Sequence, residues 1–257
     1  KIAFTGSTAA GKRIMSVCGE QVKRVSLELG GKSAAIVLDD ADLATVVPSL
    51  LDAGLMNNGQ ACVATTRILA SRNRYSEVLD AITEAVSALV VGDPLDPATQ
   101  VGPVVAERQR ARILGLLETG RNEGARVTTG GGRTSHEKGW FIEPTVFGDV
   151  DNKMTIAQEE IFGPVLSVIP VKDAEQALTV ANDTIYGLAS AIFTSDINKA
   201  FKFAKTLRAG SVWVNTYDGG DITTPFGGYK QSGIGRDKSL HAFDKFTQVK
   251  TTWIQLG

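Results

Sequence analysis

Residues 33–38 read SAAIVL, a continuous apolar run with no polar alternation. A strand with apolar side chains on both faces is covered on both faces, which is the condition of parallel sheets flanked by helices. The run is bounded by GGK (30–32) and by DD (39–40). Upstream, KIAFT (1–5) is strand-like, and STAAGKRIMSVCGE (7–20) reads as a helix ending near Gly19. VKRVSLEL (22–29) alternates and then stops at GGK, a strand and its turn. Downstream, a helix is expected from near Thr45 to about Met56, with Thr45 as its cap and Pro48 in the first turn, where proline is tolerated.

The rest of the chain repeats this alternation. NNGQAC (57–62) breaks the helix at Gly59, and ACVATTRILAS (61–71) resumes as helix or strand. YSEVLDAITEAVSALVV (75–91) carries apolar residues at helical spacing. GDPLDPATQVGP (92–103) is a turn-rich loop, AERQRARILGLLETGRNEG (106–124) a helix, and GARVTTGG (124–131) a short strand and turn. The polar loop GGGRTSHEKG (130–139) leads to WFIEPTVFGDV (140–150). LSVIPV (166–171), ASAIFT (189–194) and SVWVNT (211–216) read as strands, separated by the helices DAEQALTVANDT (173–184) and INKAFKFAKTLR (197–208). Strands alternating with helices throughout imply an α/β fold with an open, largely parallel sheet.

Composition narrows the function. The chain has 257 residues, 43% hydrophobic and 21% charged, enough to bury a sizeable core. A formal net charge of −1 without a basic run argues against nucleic acid as a partner. No apolar run reaches the roughly 18 residues of a membrane span, and KIAFTG lacks the pattern of a secretory signal. Cys18 and Cys62 cannot make a disulfide framework, so a reducing cytoplasm is the expected setting. With His136 and His241 alone and no C-x-x-C, no metal site is expected. The chain begins without Met inside a strand-like run, which reads as a piece of something longer.

Several positions could carry chemistry. From Gly6 to Lys12, FTGSTAAGKRI (4–14) has the G-x-x-x-x-G-K spacing of a nucleotide triphosphate loop, but Arg13 stands where a magnesium-binding Ser or Thr is required. The start of a helix attracts phosphate without that motif, through its free N–H groups and partial positive charge. Ser7 or Thr8 could equally be an ordinary cap. Cys62 beside Gly59 is either a nucleophile or a small buried hydrophobe. Glu28, in LELGGK, lies at the carboxyl end of a strand, where sites in α/β sheets are found, or is simply a solvated charge. Glu160, in QEEIFGPV, carries the same ambiguity. A Cys–His hydrolase would need His136 or His241 as base, and neither has supporting context.

Taken together, FTGST, LELGGK, GQAC, EEIFGPV, SVWVN and PFGGYKQSGIGR resemble the aldehyde dehydrogenase superfamily, in its order and at its spacing across some 230 residues. The resemblance implies NAD(P)-dependent oxidation of an aldehyde to a carboxylate. Cys62 would attack the carbonyl as thiolate, and Glu28 would activate the water that hydrolyses the thioester. Enzymes that pass the acyl group to coenzyme A generally lack a Glu at this position, so Glu28 favours hydrolysis. Gly6, Ser7 and Leu29 would lie along the cofactor, Glu160 would hold the nicotinamide ribose, and Phe162 would pack near the nicotinamide. Asn215, Asp221 and Phe226 would line the substrate side.

The cofactor is expected to be NAD, with NADP left open because the residues that meet the ribose 2′ position belong to the family's earlier part. So does the asparagine that would share the oxyanion with the Cys62 N–H. By the resemblance, residues 1–30 are the tail of a Rossmann-like cofactor domain, 31–230 the catalytic domain, and 231–257 a return segment with an oligomerisation strand at TTWIQL (251–256). A homodimer or homotetramer follows, since an unpaired strand edge invites pairing. NTYDGGDITTPFGGYKQSGIGRDKSLHAFDKFTQVKT (215–251) is similar to bacterial enzymes that oxidise aminoaldehydes of polyamine breakdown, such as gamma-glutamyl-gamma-aminobutyraldehyde. Gly219 and Gly220 would widen the tunnel and Asp221 would meet an amine or amide. Two other readings remain: a nucleotide triphosphatase, and a non-catalytic folding unit, the latter because half the cofactor site is missing.

Overall fold

The computed structural model describes residues 1–257. The chain opens with β1 (Ile2–Thr5), α1 (Thr8–Glu20) and β2 (Val25–Glu28). β3 (Ala34–Val37), α2 (Leu43–Leu55), β4 (Arg67–Ser71), α3 (Tyr75–Ser87) and α4 (Glu107–Asn122) follow. Next come β5 (Arg126–Thr129), β6 (Thr145–Gly148), α5 (Thr155–Gln158), β7 (Val165–Val171), α6 (Ala174–Asn182), β8 (Ala189–Phe193), α7 (Ile197–Thr206) and β9 (Ser211–Val214). β10 (Gly233–Ile234) and α8 (His241–Asp244) close the regular structure. No helix is long and apolar enough to cross a membrane.

The strands form two sheets. Seven run in the order β5-β6-β7-β4-β3-β8-β9, all parallel except β5, which pairs antiparallel with β6. β3 lies inside the sheet between β4 and β8, and all four of its residues are buried. Side chains alternate across a strand, so Ala34 and Ile36 join the core under α4–α7 with Ile113, Leu117, Ala177 and Phe203. Ala35 and Val37 join the opposite core, with Val46 and Leu50 of α2 and Val78 and Ile82 of α3. Two helical layers on one sheet are the physical meaning of the apolar run SAAIVL.

The second sheet is small, in the order β1-β2-β10. β1 and β2 are parallel, and β10 returns antiparallel, placing Gly233 opposite Glu28. The return segment thus contributes to the sheet of residues 1–30. Arg24 fastens it further, donating to the carbonyls of Thr247 and Asp244 at 2.8 and 3.0 Å.

One detail differs from the sequence reading, the start of α2. α2 starts at Leu43, because Asp42 accepts the Ala44 N–H at 3.1 Å and takes the cap that Thr45 was expected to hold. Pro48 therefore lies inside the helix and not in its first turn. The stretch 61–71 resolves as strand β4 from Arg67 onward, its five residues all buried. Residues 251–256 form no strand with any part of the chain, and Trp253, Ile254 and Leu256 are exposed.

Candidate active site

The two sheets meet across the five residues LGGKS (29–33), which carry the chain from the carboxyl end of β2 to the amino end of β3. Other segments converge on the same seam, with Cys62 five residues before β4 and Glu160 five before β7. The seam is close-packed, Gly31 against backbone and Gly30 against a side chain, which explains its glycines. A Cβ at Gly31 would lie 2.3 Å from the Cys62 carbonyl oxygen, and one at Gly30 would lie 2.3 Å from Glu160 Oε2.

Cys62 is delivered by a sharp turn. After α2, Asn57, Asn58 and Gly59 take consecutive left-handed conformations with φ of 49°, 58° and 70°. Asn tolerates that region and Gly enters it freely. Gly59 is also required by space, since a Cβ there would lie 2.0 Å from the Gly163 carbonyl oxygen. Asn58 and Gln60 brace the turn from outside, accepting the N–H groups of Gly102 and Val105, each at 2.9 Å.

Cys62 stands between two cavities. One, about 840 Å³, is lined by Gly6, Ser7, Glu28, Leu29, Glu160 and Phe162 among others, with Cys62. The other, about 520 Å³, is lined by Cys62, Val63, Trp213, Asp218, Phe226 and Lys238 with the Gly219–Gly220 turn. Burial raises the Cys62 thiol, and the Glu28 and Glu160 carboxylates raise it further, while the amides of Cys62 and Val63 oppose them.

Glu28 is 8% exposed, and its Oε2 has no hydrogen-bond partner. Burial pushes this carboxyl up to about 7, against the amide of Gly228 and the charges of Lys245 and Arg236. Such a group is poised to take a proton near neutrality. Glu160 is held across the seam, its Oε1 accepting the Gly31 N–H at 3.0 Å, and burial raises it too. Phe162 sits at φ 58°, its carbonyl accepting Gln109 Nε2 at 2.8 Å.

The first cavity reaches the start of α1, where Ser7 is the cap and accepts the Ala10 N–H at 3.3 Å. Gly6 continues the β1–β2 ladder, donating to the Glu28 carbonyl at 3.0 Å. The second glycine of the apparent triphosphate loop has a packing role. A Cβ at Gly11 would lie 2.4 Å from a Leu29 methyl group, so α1 seats directly on Leu29. Lys12 and Arg13 are exposed on that helix.

Two substrate-side residues are placed differently from expectation. The Asn215 amide is spent on Thr194, accepting its N–H and donating to its carbonyl, each at 2.8 Å, so it extends the β8–β9 pairing beyond the strand ends. Asp221 accepts both the N–H and the hydroxyl of Thr223, at 2.7 and 2.6 Å, and is not among the cavity's walls. Phe226 does line the cavity, and Asp218 is the acid found there. His136 stacks on Phe141 and His241 pairs with Asp244, and neither borders Cys62.

Sequence reasoning passed over Lys32, Tyr217 and the Gly227–Gly228 turn. Lys32 is 1% exposed with no partner for Nζ, and burial lowers it to about 7. Gly227 packs against Glu28, where a Cβ would come within 3.0 Å of Oε1. The glycine pairs within LELGGK and PFGGYK were the available signal, since paired glycines mark close backbone approach.

Residues 1–252 match the model of the Aldehyde dehydrogenase family. The chain is 49% identical to geranial dehydrogenase of Castellaniella defragrans over 97% of this chain and 52% of that protein. It is 43% identical to betaine aldehyde dehydrogenase of Brucella anthropi, over 100% of this chain and 53% of that one. The crystal structure of Mycobacterium tuberculosis aldehyde dehydrogenase complexed with NAD+ is similar at a TM-score of 0.94 and 51% identity, over 96% of this chain and 51% of that one. The chain spans about half the length of the curated relatives it matches.

Proposed function

The chain belongs to the aldehyde dehydrogenase family, and on that premise we propose that its protein oxidises an aldehyde to a carboxylate with NAD, by a hydrolytic route. The observation that carries this reading is the place of Cys62, shared by a cavity that holds Glu28, Glu160 and a helix start and by a second one walled with aromatic side chains.

The larger cavity suits a dinucleotide. The N–H groups at the start of α1 favour phosphate, and Glu160, held by Gly31, presents a carboxylate to ribose hydroxyls. NAD held there supplies the hydride acceptor. The chain's own residues do the rest. Cys62 Sγ, as thiolate, adds to the aldehyde carbon, and the Cys62 N–H donates to the resulting oxyanion. Once the hydride has left that carbon, a thioester remains on Cys62. Glu28 takes a proton from water, which attacks the thioester, releasing the carboxylate and the thiol. The net change is aldehyde, water and NAD+ to carboxylate, NADH and two protons.

The substrate proposed is a long aldehyde bearing nitrogen or an amide, of the gamma-glutamyl-gamma-aminobutyraldehyde kind. Asp218 and Lys238 on the second cavity supply both signs of charge for a zwitterionic tail, and Gly219–Gly220 adds no side-chain bulk. The acidic contact thus passes from Asp221 to Asp218. A simple apolar aldehyde is the second reading, favoured by Trp213 and Phe226 in the same walls. Comparing kcat/KM for aminoaldehydes with that for hexanal decides between them.

Residues 1–30 are proposed to belong to the cofactor domain, 31–230 to the catalytic domain, and the exposed apolar tail at Trp253–Leu256 to pair with a second copy in a dimer or tetramer. A cytoplasmic setting goes with NAD and two free thiols. The 257 residues alone are proposed to turn over aldehyde poorly or not at all, covering about half of the relatives' length. Robust NADH production by these residues alone would overturn that point.

The mechanism is tested in the complete protein with Cys62→Ala and Glu28→Gln. The first abolishes oxidation. The second lets a thioester accumulate, seen as added mass on the intact chain after one turnover. Retained oxidation by Cys62→Ala would refute the role of that thiol.

A further inference from the structure

Tyr217 lies just past β9, behind the wall of the substrate-side cavity. Its ring packs against Trp213, centroids 4.6 Å apart and planes tilted 52°. Its hydroxyl donates to the backbone carbonyl of Val63, the residue after Cys62. No backbone N–H donates to that carbonyl, which follows a turn and precedes β4, so the phenol is its partner. On the other side, Trp213 Nε1 donates to the Gly219 carbonyl at 2.7 Å. Residues 217–219 are therefore fastened at one end to β9 and at the other to the Cys62 turn.

This matters because the amides of Cys62 and Val63 bear on the thiol and oppose its desolvation. The charged groups acting on Cys62 are the Glu28 and Glu160 carboxylates, which both disfavour the thiolate. The two amides are thus the groups that favour it, and a backbone free to rotate at Val63 would lose their aim. The loop that carries Tyr217 also supplies Asp218, Gly219 and Gly220 to the substrate-side cavity.

We propose that Tyr217 is a positioning residue for Cys62, its hydroxyl fixing the Cys62–Val63 backbone and, through Trp213 and Gly219, coupling that alignment to the loop that meets substrate. The inference rests on the reading of Cys62 as the nucleophile. It does not require Tyr217 to touch substrate.

Tyr217→Phe keeps the ring and its stacking and removes the hydroxyl alone. In the complete protein, the rate of Cys62 alkylation by iodoacetamide is followed against pH, with Cys62→Ala giving the background from Cys18. The expected result is a midpoint raised by about half a unit and, at pH 7.5, alkylation slowed about threefold. kcat falls while KM for aldehyde stays within about twofold. Alkylation of Tyr217→Phe with wild-type rate and midpoint overturns the proposal. Should that variant not fold, Trp213→Phe removes the Nε1–H that holds Gly219, and is expected to shift the alkylation midpoint in the same direction. A wild-type profile there also overturns the coupling. Failure of the nucleophile reading shows separately, as turnover by Cys62→Ala.

Discussion

Gly31 and Cys62 meet with no room for a side chain between them, since a Cβ at position 31 would lie 2.3 Å from the Cys62 carbonyl oxygen. The same Gly31 donates its N–H to Glu160 at 3.0 Å. One glycine therefore sets how the proposed nucleophile and the proposed ribose-binding carboxylate stand relative to each other. The atom in the way is backbone, so neither partner can move aside cheaply.

Gly31→Ala is expected to cost about 2–4 kcal/mol and to depress turnover at the same time. Gly115 in α4 is the control, because nothing lies within 4 Å of a Cβ there. Gly115→Ala is expected to stabilise by about 0.5–1 kcal/mol. Urea unfolding of both variants checks the contrast, and equal effects would contradict the packing described.

Glu28 titrates at about 7 in the folded chain, above an ordinary carboxyl. Between about 4.5 and 7 the folded state holds more protons at this site than the unfolded state, so its contribution to stability falls as pH rises through that window. Glu28→Gln is expected to gain stability relative to the wild type between pH 5 and pH 8, by at most about 3 kcal/mol. The wild-type hydrolytic step should rise with pH to a plateau above about 7, a limb absent in Glu28→Gln. Melting curves and pH–rate profiles test the two halves separately.

Lys32 is buried with an unpartnered ammonium, its pKa lowered to about 7. The unfolded state binds the proton more readily between about 7 and 10.5, so this site's contribution to stability rises with pH across that range. Lys32→Met is expected to stabilise at pH 6 by about 1–3 kcal/mol, the gain shrinking toward pH 10. A gain independent of pH would show that the charge is not its source.

Asn215→Ala should lose about 1–2 kcal/mol, because the Thr194 N–H and carbonyl lose their partner. Its KM for aldehyde should change less than about twofold, since the amide is spent on Thr194 and makes no ground-state contact with substrate. Asp218→Asn should instead raise KM for a cationic aminoaldehyde more than for hexanal. Steady-state kinetics with the two aldehydes decide the matter.

Much of the layering is legible in the sequence. The apolar run at 33–38, the helical spacing at 75–91 and the strand-like runs at 166–171 and 189–194 lead to the parallel sheet observed, because binary pattern follows element period. The start of α2 was not legible at residue precision, since Asp42 and Thr45 are both competent caps and only the backbone path selects one. Among candidate site residues, Cys62, Glu28, Glu160, Gly6, Ser7, Leu29 and Phe162 all border one cavity. Asn215 and Asp221 do not join Cys62, because each amide or carboxylate found a nearer backbone partner.

Sequence alone determined the three-layer α/β class and the family resemblance, because hydrophobic period and motif order are properties of the linear chain. It also showed that Arg13 cannot complete a triphosphate site. Only the tertiary structure decided that Gly11 serves Leu29, that Gly31 abuts the Cys62 carbonyl while donating to Glu160, and that Tyr217 reaches Val63. These are contacts between segments distant in the chain, decided by which atoms compete for the same space and the same hydrogen bond. No local pattern encodes that competition.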